Sequence, residues 1–574
     1  MRRVLHGVGA SRGLALGRAR VRQPQVLQLS PQTLPAERVE AELQRLDRAL
    51  AIARAELATL RARLQGQLAR EVGEFIDLHV LILDDPELVD GLRDLVRHQR
   101  HTADYALKLQ RDRLAAVFRS MDNDYFRTRL DDLDHVIGRV HAALQEREDD
   151  GRLGLAGEIL VADDIAPAEL AELSRQQLLA VATRAGSPLS HSAIIARGLG
   201  LPMVVGCAEA LAHINDGDAL LLDGRDGQLI VEPEAADLAR YHERQASLVA
   251  KRGALERLRQ APTQTRDGTA IRLQANGERR EEIAAALAAG ADGIGLFRSE
   301  FLFMGRSGLP DEEEQFLAYR DAVLGMAGRP VTLRTLDLGA DKADDSGLAL
   351  RNEPNPALGL RGVRLSLSRP GLLDAQLRAM LRASAFGPVR VLVPMVSARE
   401  ETDAMRSRLL RLAGRLRDEG VAIGDRVAFG IMLEVPATAL TLADHRDLID
   451  FVAIGTNDLV QYLLAADRTH EALGGLYSER HPAVLRLLHR LFAEARNAGL
   501  PLHVCGELAN RPEDVPLLLA LGLRDFSVPA SAVLEVREAI GDCDLGRLRR
   551  RAAALLRCRE RAEIEAWLAR AVPA

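Results

Sequence analysis

The sequence predicts an α/β multidomain protein whose second half is a (β/α)8 barrel, and two observations carry that prediction. First, eight short apolar runs recur there: Ile271–Asn276, Gly293–Arg298, Val331–Asp337, Arg390–Val396, Ala428–Glu434, Phe451–Asp458, Leu502–Glu507 and Asp525–Pro529. Second, amphipathic stretches long enough for helices separate them, such as Arg279–Ala289, Glu400–Glu419 and Pro482–Ala498. Strand and helix alternating eight times is the pattern of a closed parallel barrel. The C-terminal ends of its strands form the face that carries chemistry. Here those ends hold Arg298, Arg334, Asp337, Glu434, Asn457, Asp458 and Cys505. Cations, carboxylates and a thiol on one rim point to an anionic, metal-bound ligand.

The first half divides into three kinds of segment. Residues 1–22 read as short strands around Gly7-Val-Gly-Ala-Ser-Arg-Gly13, ended by the breaker Gln23-Pro24-Gln25. From about Pro35 the apolar residues Leu43, Leu46, Leu50, Leu57, Leu60 and Leu64 fall at helical spacing, so residues 34–149 are expected to form a bundle of four or five helices. The turn Asp84-Asp85-Pro86 separates two of them, and Asp122-Asn123-Asp124 begins another. From residue 150 to 233 the pattern turns to strands at Glu158–Ala162, Leu178–Ala182 and Ala219–Asp223, with a helix from about Ser190 to Leu199. The simplest assembly joins this block to residues 1–22 and makes the bundle an insertion. Residues 234–262 read as a charged helical linker, leaving 263–574 for the barrel.

Bulk properties narrow the function. A chain of 574 residues exceeds one hydrophobic core. A net charge of −6 gives no support to a nucleic-acid partner. No apolar run approaches the roughly 18 residues of a membrane helix, and the start lacks a signal-peptide core. The four cysteines, Cys207, Cys505, Cys543 and Cys558, show no zinc-ligand spacing, consistent with a reducing compartment. The expected location is the cytoplasm.

One motif in the first half also carries chemistry. Gly186-Ser-Pro-Leu-Ser-His191-Ser192 is a turn running into a helix, with His191 in its first turn. Free backbone N–H groups and the positive end of the helix dipole favour an anionic group there. An imidazole with an ordinary pKa near 6.5 is also a competent nucleophile at neutral pH.

Over essentially its whole length the chain resembles enzyme I of the bacterial sugar phosphotransferase system. The matching segments are Gly9-Ala-Ser-Arg-Gly-Leu-Ala-Leu-Gly17, Ser190-His-Ser-Ala-Ile-Ile-Ala-Arg197, Gly295-Leu-Phe-Arg-Ser-Glu-Phe-Leu-Phe303 and Arg334-Thr-Leu-Asp-Leu-Gly-Ala-Asp-Lys342. Others are Gly430-Ile-Met-Leu-Glu-Val-Pro436, Gly455-Thr-Asn-Asp-Leu-Val-Gln-Tyr462, Asp467-Arg468 and Val504-Cys-Gly-Glu507. The barrel motifs are shared with pyruvate phosphate dikinase and phosphoenolpyruvate synthase; the segment order and length are those of enzyme I.

The resemblance implies that phosphoenolpyruvate phosphorylates His191, which passes the group to a histidine of an HPr-type phosphocarrier, leaving pyruvate. It makes residues 1–22 with 150–233 the α/β phosphohistidine domain and the helical block the carrier-docking platform, with Phe75, His79, Asp85 and Glu87 in the docking segment. It implies Mg2+ held by Glu434 and Asp458, phosphate and carboxylate clamps at Arg298, Arg334, Arg361 and Arg468, and phosphate contacts from Asn457 and Asp458. Cys505 becomes the proton donor to the enolate, while Glu300, Asp337 and Glu507 are read as supporting ion-pair residues. A homodimer through the barrel is expected, and His191 must visit both the barrel and the carrier.

The chain departs from the family at Leu189, where a threonine is usual, at Ser299, and at Ala340 with a short loop after Lys342. Leu189 offers no hydroxyl, so Ser187, Ser190 or Ser192 is expected to replace it. Two other readings follow from the same residues: a nitrogen-regulatory paralogue with a different carrier, and a catalytically dead carrier-binding scaffold.

Overall fold

The computed structural model describes residues 2–22, 33–63, 68–120, 124–145, 156–188, 190–304, 306, 308–339, 353, 355–468, 470, 473 and 476–571. The chain folds as two compact units, residues 1–248 and 249–574.

In the first unit, strands β1 (Arg3–His6), β2 (Val8–Ser11) and β3 (Leu14–Arg22) precede five helices: α1 (Val39–Arg63), α2 (Leu68–Leu83), α3 (Pro86–Arg97), α4 (Ala103–Ser120) and α5 (Asp124–Leu144). The chain then runs β4 (Glu158–Ala162), α6 (Pro167–Arg175), β5 (Ala180–Thr183), α7 (His191–Leu199), β6 (Met203–Val205), α8 (Ala210–His213), β7 (Ala219–Asp223), β8 (Gln228–Val231) and α9 (Ala235–Arg257). The turn before α3 works as its sequence suggests: Pro86 occupies the first helical position and the Asp85 carboxylate accepts the Glu87 N–H at 2.8 Å.

The eight strands form one sheet in the order β1-β8-β7-β3-β4-β5-β6-β2. β3 pairs parallel with β4, from Arg18 opposite Glu158 to Arg22 opposite Ala162, so the five helices interrupt a single sheet. Alternation along β4 shows its two faces. Leu160 and Ala162 pack with Leu46, Leu92 and Val136 of the helices, whereas Ile159 and Val161 join Leu220 and Leu229 on the other side. β6 and β8, at three and four residues, show too little alternation to stand out in the sequence.

The second unit is a closed barrel of eight parallel strands. They are β9 (Arg272–Gly277), β10 (Ile294–Phe297), β11 (Val331–Arg334), β12 (Val389–Val393), β13 (Ala428–Leu433), β14 (Phe451–Ile454), β15 (Leu502–Val504) and β16 (Asp525–Pro529). β16 closes on β9, with Asp525 opposite Arg272 and Pro529 opposite Asn276. All eight predicted runs overlap a strand. Ile431, Val452 and Ile454 face the helical layer; the alternate residues Met432, Phe451 and Ala453 join Leu296, Leu392 and Cys505 in the interior cluster.

Most strands stop short of the predicted runs. Asn457 and Asp458, expected at the end of a strand, instead lie in the first turn of the helix Thr456–Leu464. The chain leaves β14 at Gly455 and turns at once into that helix, which still delivers both residues to the mouth.

Among the described residues no helix is long and apolar enough to cross a membrane.

Asp525, at the start of β16, supplies a test of the barrel's electrostatics. It is buried, accepts from Gln274 Nε2 at 2.8 Å and lies 3.4 Å from Arg272. Burial pushes its carboxyl up to about 7, against the pull of Gln274, Arg272 and Arg390. An acid whose folded pKa exceeds its unfolded value near 3.9 takes up a proton on folding. Its contribution is therefore neutral below pH ~4 and increasingly destabilising up to pH ~7. Asp525→Asn keeps an acceptor for Gln274 and is expected to be about 2 kcal/mol more stable than wild type at pH 8, with the gap shrinking at pH 5. Denaturant melts at the two pH values check it.

Candidate active site

The strand ends of the barrel bring together most of the residues singled out from the sequence. Glu434 follows β13 by one residue, Cys505 follows β15 by one, and Arg334 ends β11. Asp337, Glu434 and Asp458 each offer an oxygen within 4.8 Å of the other two. Asp337 is thus drawn into the carboxylate group as well as serving as an ion-pair partner.

The charges are tightly balanced. Glu434 is almost fully buried and accepts the Met395 N–H at 2.6 Å. Burial, with the negative charges of Asp337 and Asp458 beside it, holds its carboxyl well above the usual range, against the pull of Arg334. Arg361 grips Asp337 with a fork, Nε to Oδ1 at 3.0 Å and Nη2 to Oδ2 at 2.9 Å, and its Nη1 lies 3.5 Å from Asp458. That Nη1 also donates to Tyr462 Oη at 3.3 Å, and the tyrosine donates to the Ala357 carbonyl. Arg334 Nη2 donates to Glu300 Oε1 at 2.8 Å, and Nη1 lies 3.4 Å from Asp337. Burial works against both guanidinium charges, but for Arg334 the carboxylates of Glu300, Asp337 and Glu434 outweigh it, and for Arg361 those of Asp337 and Asp458 do.

Two features show a site built for something more than its own ion pairs. Arg334 Nε is buried without a hydrogen-bond partner, which leaves a donor available to a ligand. The three crowded carboxylates offer only oxygen, the donor set of a hard divalent cation, whose charge would offset the burial and the mutual repulsion that push the Glu434 carboxyl up. The residues present fit such an ion.

Backbone features keep the mouth tight. A Cβ on Gly455 would sit 2.8 Å from Glu434 Oε2, so any larger residue there would displace that carboxylate. Met395, whose N–H holds Glu434, adopts φ 60°, a left-handed conformation that is uncommon for a residue with a side chain.

Cys505 lies in the interior cluster, 3% exposed, with Sγ 3.4 Å from the Ile454 carbonyl that accepts its proton. Burial pushes the thiol up to about 12, against Arg334 and Arg298, so it is protonated at neutral pH. Its carbonyl accepts from Asn276 Nδ2 at 3.2 Å, and Ser527 Oγ donates to Asn276 Oδ1 at 2.6 Å. The Asn457 amide is fixed by a reciprocal pair with Glu507: Nδ2 donates to Glu507 Oε1 at 2.9 Å, and the Glu507 N–H donates to Asn457 Oδ1 at 3.0 Å. Asn457 keeps one further N–H.

Arg298 and Arg468 are not drawn into this network. Both are exposed; Arg298 pairs with Glu278 at 2.9 Å, and the Arg468 backbone N–H donates to Gln461 at 3.3 Å. Tyr462, Met395 and Asn276 were not singled out from the sequence. Tyr462 had a signal: it lies four residues after Asp458, on the same helix face.

His191 opens α7 in the other unit. Ser190 caps that helix, its Oγ accepting the Ala193 N–H at 3.3 Å, and Ser192 Oγ donates to the Ile165 carbonyl at 2.5 Å. Arg197 Nη1 donates to the Pro188 and Ala10 carbonyls, both at 2.9 Å, and so ties the preceding turn to the helix. The side chains of His191 and Phe75, and residues Leu189, Ala340 and Lys342, lie outside the described groups.

Comparison with known proteins agrees along the chain. Family models described as the PEP-binding, N-terminal and mobile domains of PEP-utilising enzymes match residues 252–545, 6–129 and 154–227. A phosphoenolpyruvate-protein phosphotransferase of Cupriavidus necator is 43% identical over 549 residues, covering 93% of this chain and 94% of that one. Those of Geobacillus stearothermophilus and Listeria innocua are 38% and 36% identical, covering 93% and 95% of this chain and 92% and 95% of theirs. With the barrel mouth, the histidine-bearing α/β unit and relatives of this identity along nearly its full length, the chain belongs to the phosphoenolpyruvate-protein phosphotransferase family of PEP-utilising enzymes.

Proposed function

We propose that the barrel mouth holds phosphoenolpyruvate and that His191 takes its phosphoryl group, then passes it to an HPr-type phosphocarrier. The observation that carries this reading is the pairing of a buried, protonated Cys505 with a carboxylate and arginine cluster on one barrel mouth. Phosphoryl transfer asks a protein mainly for positioning and charge neutralisation. Arg334 and Arg361 supply positive charge, and Arg298 and Arg468 close on the phosphate and carboxylate from the exposed side. Asn457 contributes its remaining N–H to a phosphate oxygen.

Glu434 and Asp458, with Asp337 beside them, would hold Mg2+, which would supply positive charge to the phosphoryl oxygens. Arg361 takes both oxygens of Asp337 but approaches Asp458 with a single nitrogen, at 3.5 Å, so Glu434 and Asp458 are the ligands this reading assigns. As a His191 ring nitrogen bonds to phosphorus, the bridging P–O bond breaks and its electron pair goes to the enolate of pyruvate. Cys505 gives its proton to the methylene carbon, and the far more stable keto form draws the transfer forward. The enzyme then acts in the cytoplasm as a homodimer through the barrel.

Of the serines that could replace the hydroxyl missing at Leu189, Ser190 Oγ accepts the Ala193 N–H and Ser192 Oγ donates to the Ile165 carbonyl. Full-length relatives named as phosphotransferases favour a working enzyme over a scaffold.

The test is incubation with phosphate-labelled phosphoenolpyruvate. We expect acid-labile, alkali-stable label on the protein, released pyruvate, and dependence on a divalent cation. Asp458→Asn should raise the Mg2+ needed for half-maximal labelling by about tenfold or more, since even groups that only support a metal ligand contribute about 10–100-fold to affinity. Wild-type protein that takes no label would remove this function.

A further inference from the structure

The helical block holds a second cluster of metal-ligating side chains, one that the phosphoryl chemistry does not use. His79 on α2 and Asp132 and His135 on α5 each offer a ligand atom within 4.8 Å of the other two. Asp132 and His135 are three residues apart and so share a helix face. His79, expected in the carrier-docking segment, is only 3% exposed, and Asp132 is 6% exposed. Both point into the protein rather than toward a carrier.

One pair in the group has the spacing of two ligands on one ion. His79 Nε2 lies 3.4 Å from Asp132 Oδ1, long for a charged hydrogen bond. Two ligands each about 2.0–2.1 Å from a tetrahedral ion stand about 3.3 Å apart. The rings of His79 and His135 are 6.0 Å apart and tilted at 51° rather than stacked.

His135 supplies the independent observation. Its Nε2 lies 3.5 Å from Asp164 Oδ2, on the loop after β4. A proton on Nε2 shared with Asp164 leaves the lone pair on Nδ1, and that Nδ1 is buried without a hydrogen-bond partner. A doubly protonated ring would carry a buried, unpartnered N–H in the same place. Either way the atom lacks what a bound cation would provide. A carboxylate behind a histidine, fixing its tautomer and turning the other nitrogen outward, is the usual support of a metal-ligating imidazole.

We infer that His79, Asp132 and His135 bind one divalent transition-metal ion, with Asp164 orienting His135. Two imidazoles and one carboxylate suit zinc, with a fourth position left for water. The oxygen-only group at the barrel mouth suits a harder ion, so the two sites are chemically distinct. The ion would join α2 and α5, while Asp164 ties it to the loop whose Ile165 carbonyl receives Ser192, the residue after His191. Its place is therefore structural support beside the phosphoryl acceptor.

The full chain, stripped with a chelator and then saturated with Mg2+ to occupy the barrel carboxylates, is titrated with Co2+ and with Zn2+. We expect one equivalent of Co2+ with visible absorption bands of a nitrogen-containing low-coordinate site, displaced by Zn2+. His135→Gln should abolish the bands. Asp164→Asn, which removes no ligand, should weaken Co2+ binding by about tenfold or more. Circular dichroism confirms that each variant is folded, and the Asp164 variant decides if the His135 variant is not. Absence of the bands, or bands untouched by both substitutions, would overturn the site and leave His79 and Asp132 as a hydrogen-bonded pair.

Discussion

His191→Ala is expected to take no label from phosphoenolpyruvate above background, and to lose the isotope exchange between phosphoenolpyruvate and pyruvate, while still binding phosphoenolpyruvate within about threefold of wild type. The separation follows from where the residues lie. Every group assigned to the substrate belongs to the barrel unit, and the acceptor opens α7 in the other unit. At the first turn of that helix the backbone N–H groups have no intrahelical acceptor, so a phosphoryl group gained there is stabilised by them and by the helix dipole. Alanine keeps the helix and the Ser190 cap but removes the nucleophile. A thermal-shift titration reports binding, and labelling with exchange reports chemistry. The chain has 14 histidines. Acid-labile label persisting on the variant would move the acceptor to another of them and overturn the assignment.

The barrel was legible because burial on both faces makes parallel strands read as compact apolar runs, and turn residues separate them cleanly. What the sequence did not reveal is how the chain bends after each strand. Asp337 lies three residues past β11, and its ion-pair chemistry was visible, yet its approach to Glu434 and Asp458 depends on that bend. Asn457 and Asp458 were placed at a strand end because Gly455 leaves no local sign that a helix starts immediately after it. The pair Glu507 and Asn457 joins residues 50 apart, a distance over which periodicity carries no information. The burial of His79 was not legible for a related reason. A histidine on an amphipathic helix reads the same whether it faces solvent or, as here, an aspartate on a neighbouring helix.

Cys505→Ala should lower kcat/KM for phosphoenolpyruvate by about 10^2–10^4-fold, the usual contribution of a positioned acid or base. Breaking the bridging P–O bond leaves an enolate; without a proton on its carbon, that enolate recaptures the phosphoryl group and net transfer stalls. The thiol suits this task because burial keeps it protonated, and because it lies beside the cluster of Arg334 and Glu434 that acts on its charge. The substitution removes one buried sulfur from the interior cluster and costs stability on the order of 1 kcal/mol, too little to unfold the barrel. A structural role alone would therefore leave turnover nearly unchanged. Specificity of the defect supplies a second readout. Variant protein that has been slowly phosphorylated should pass its label to the carrier at the wild-type rate, since that half-reaction forms no enolate. Solvent deuterium should enter the pyruvate methyl group in wild type and do so far more slowly in the variant. A turnover within about threefold of wild type would show that the proton comes from elsewhere, and the buried thiol would revert to a small apolar residue of the barrel interior.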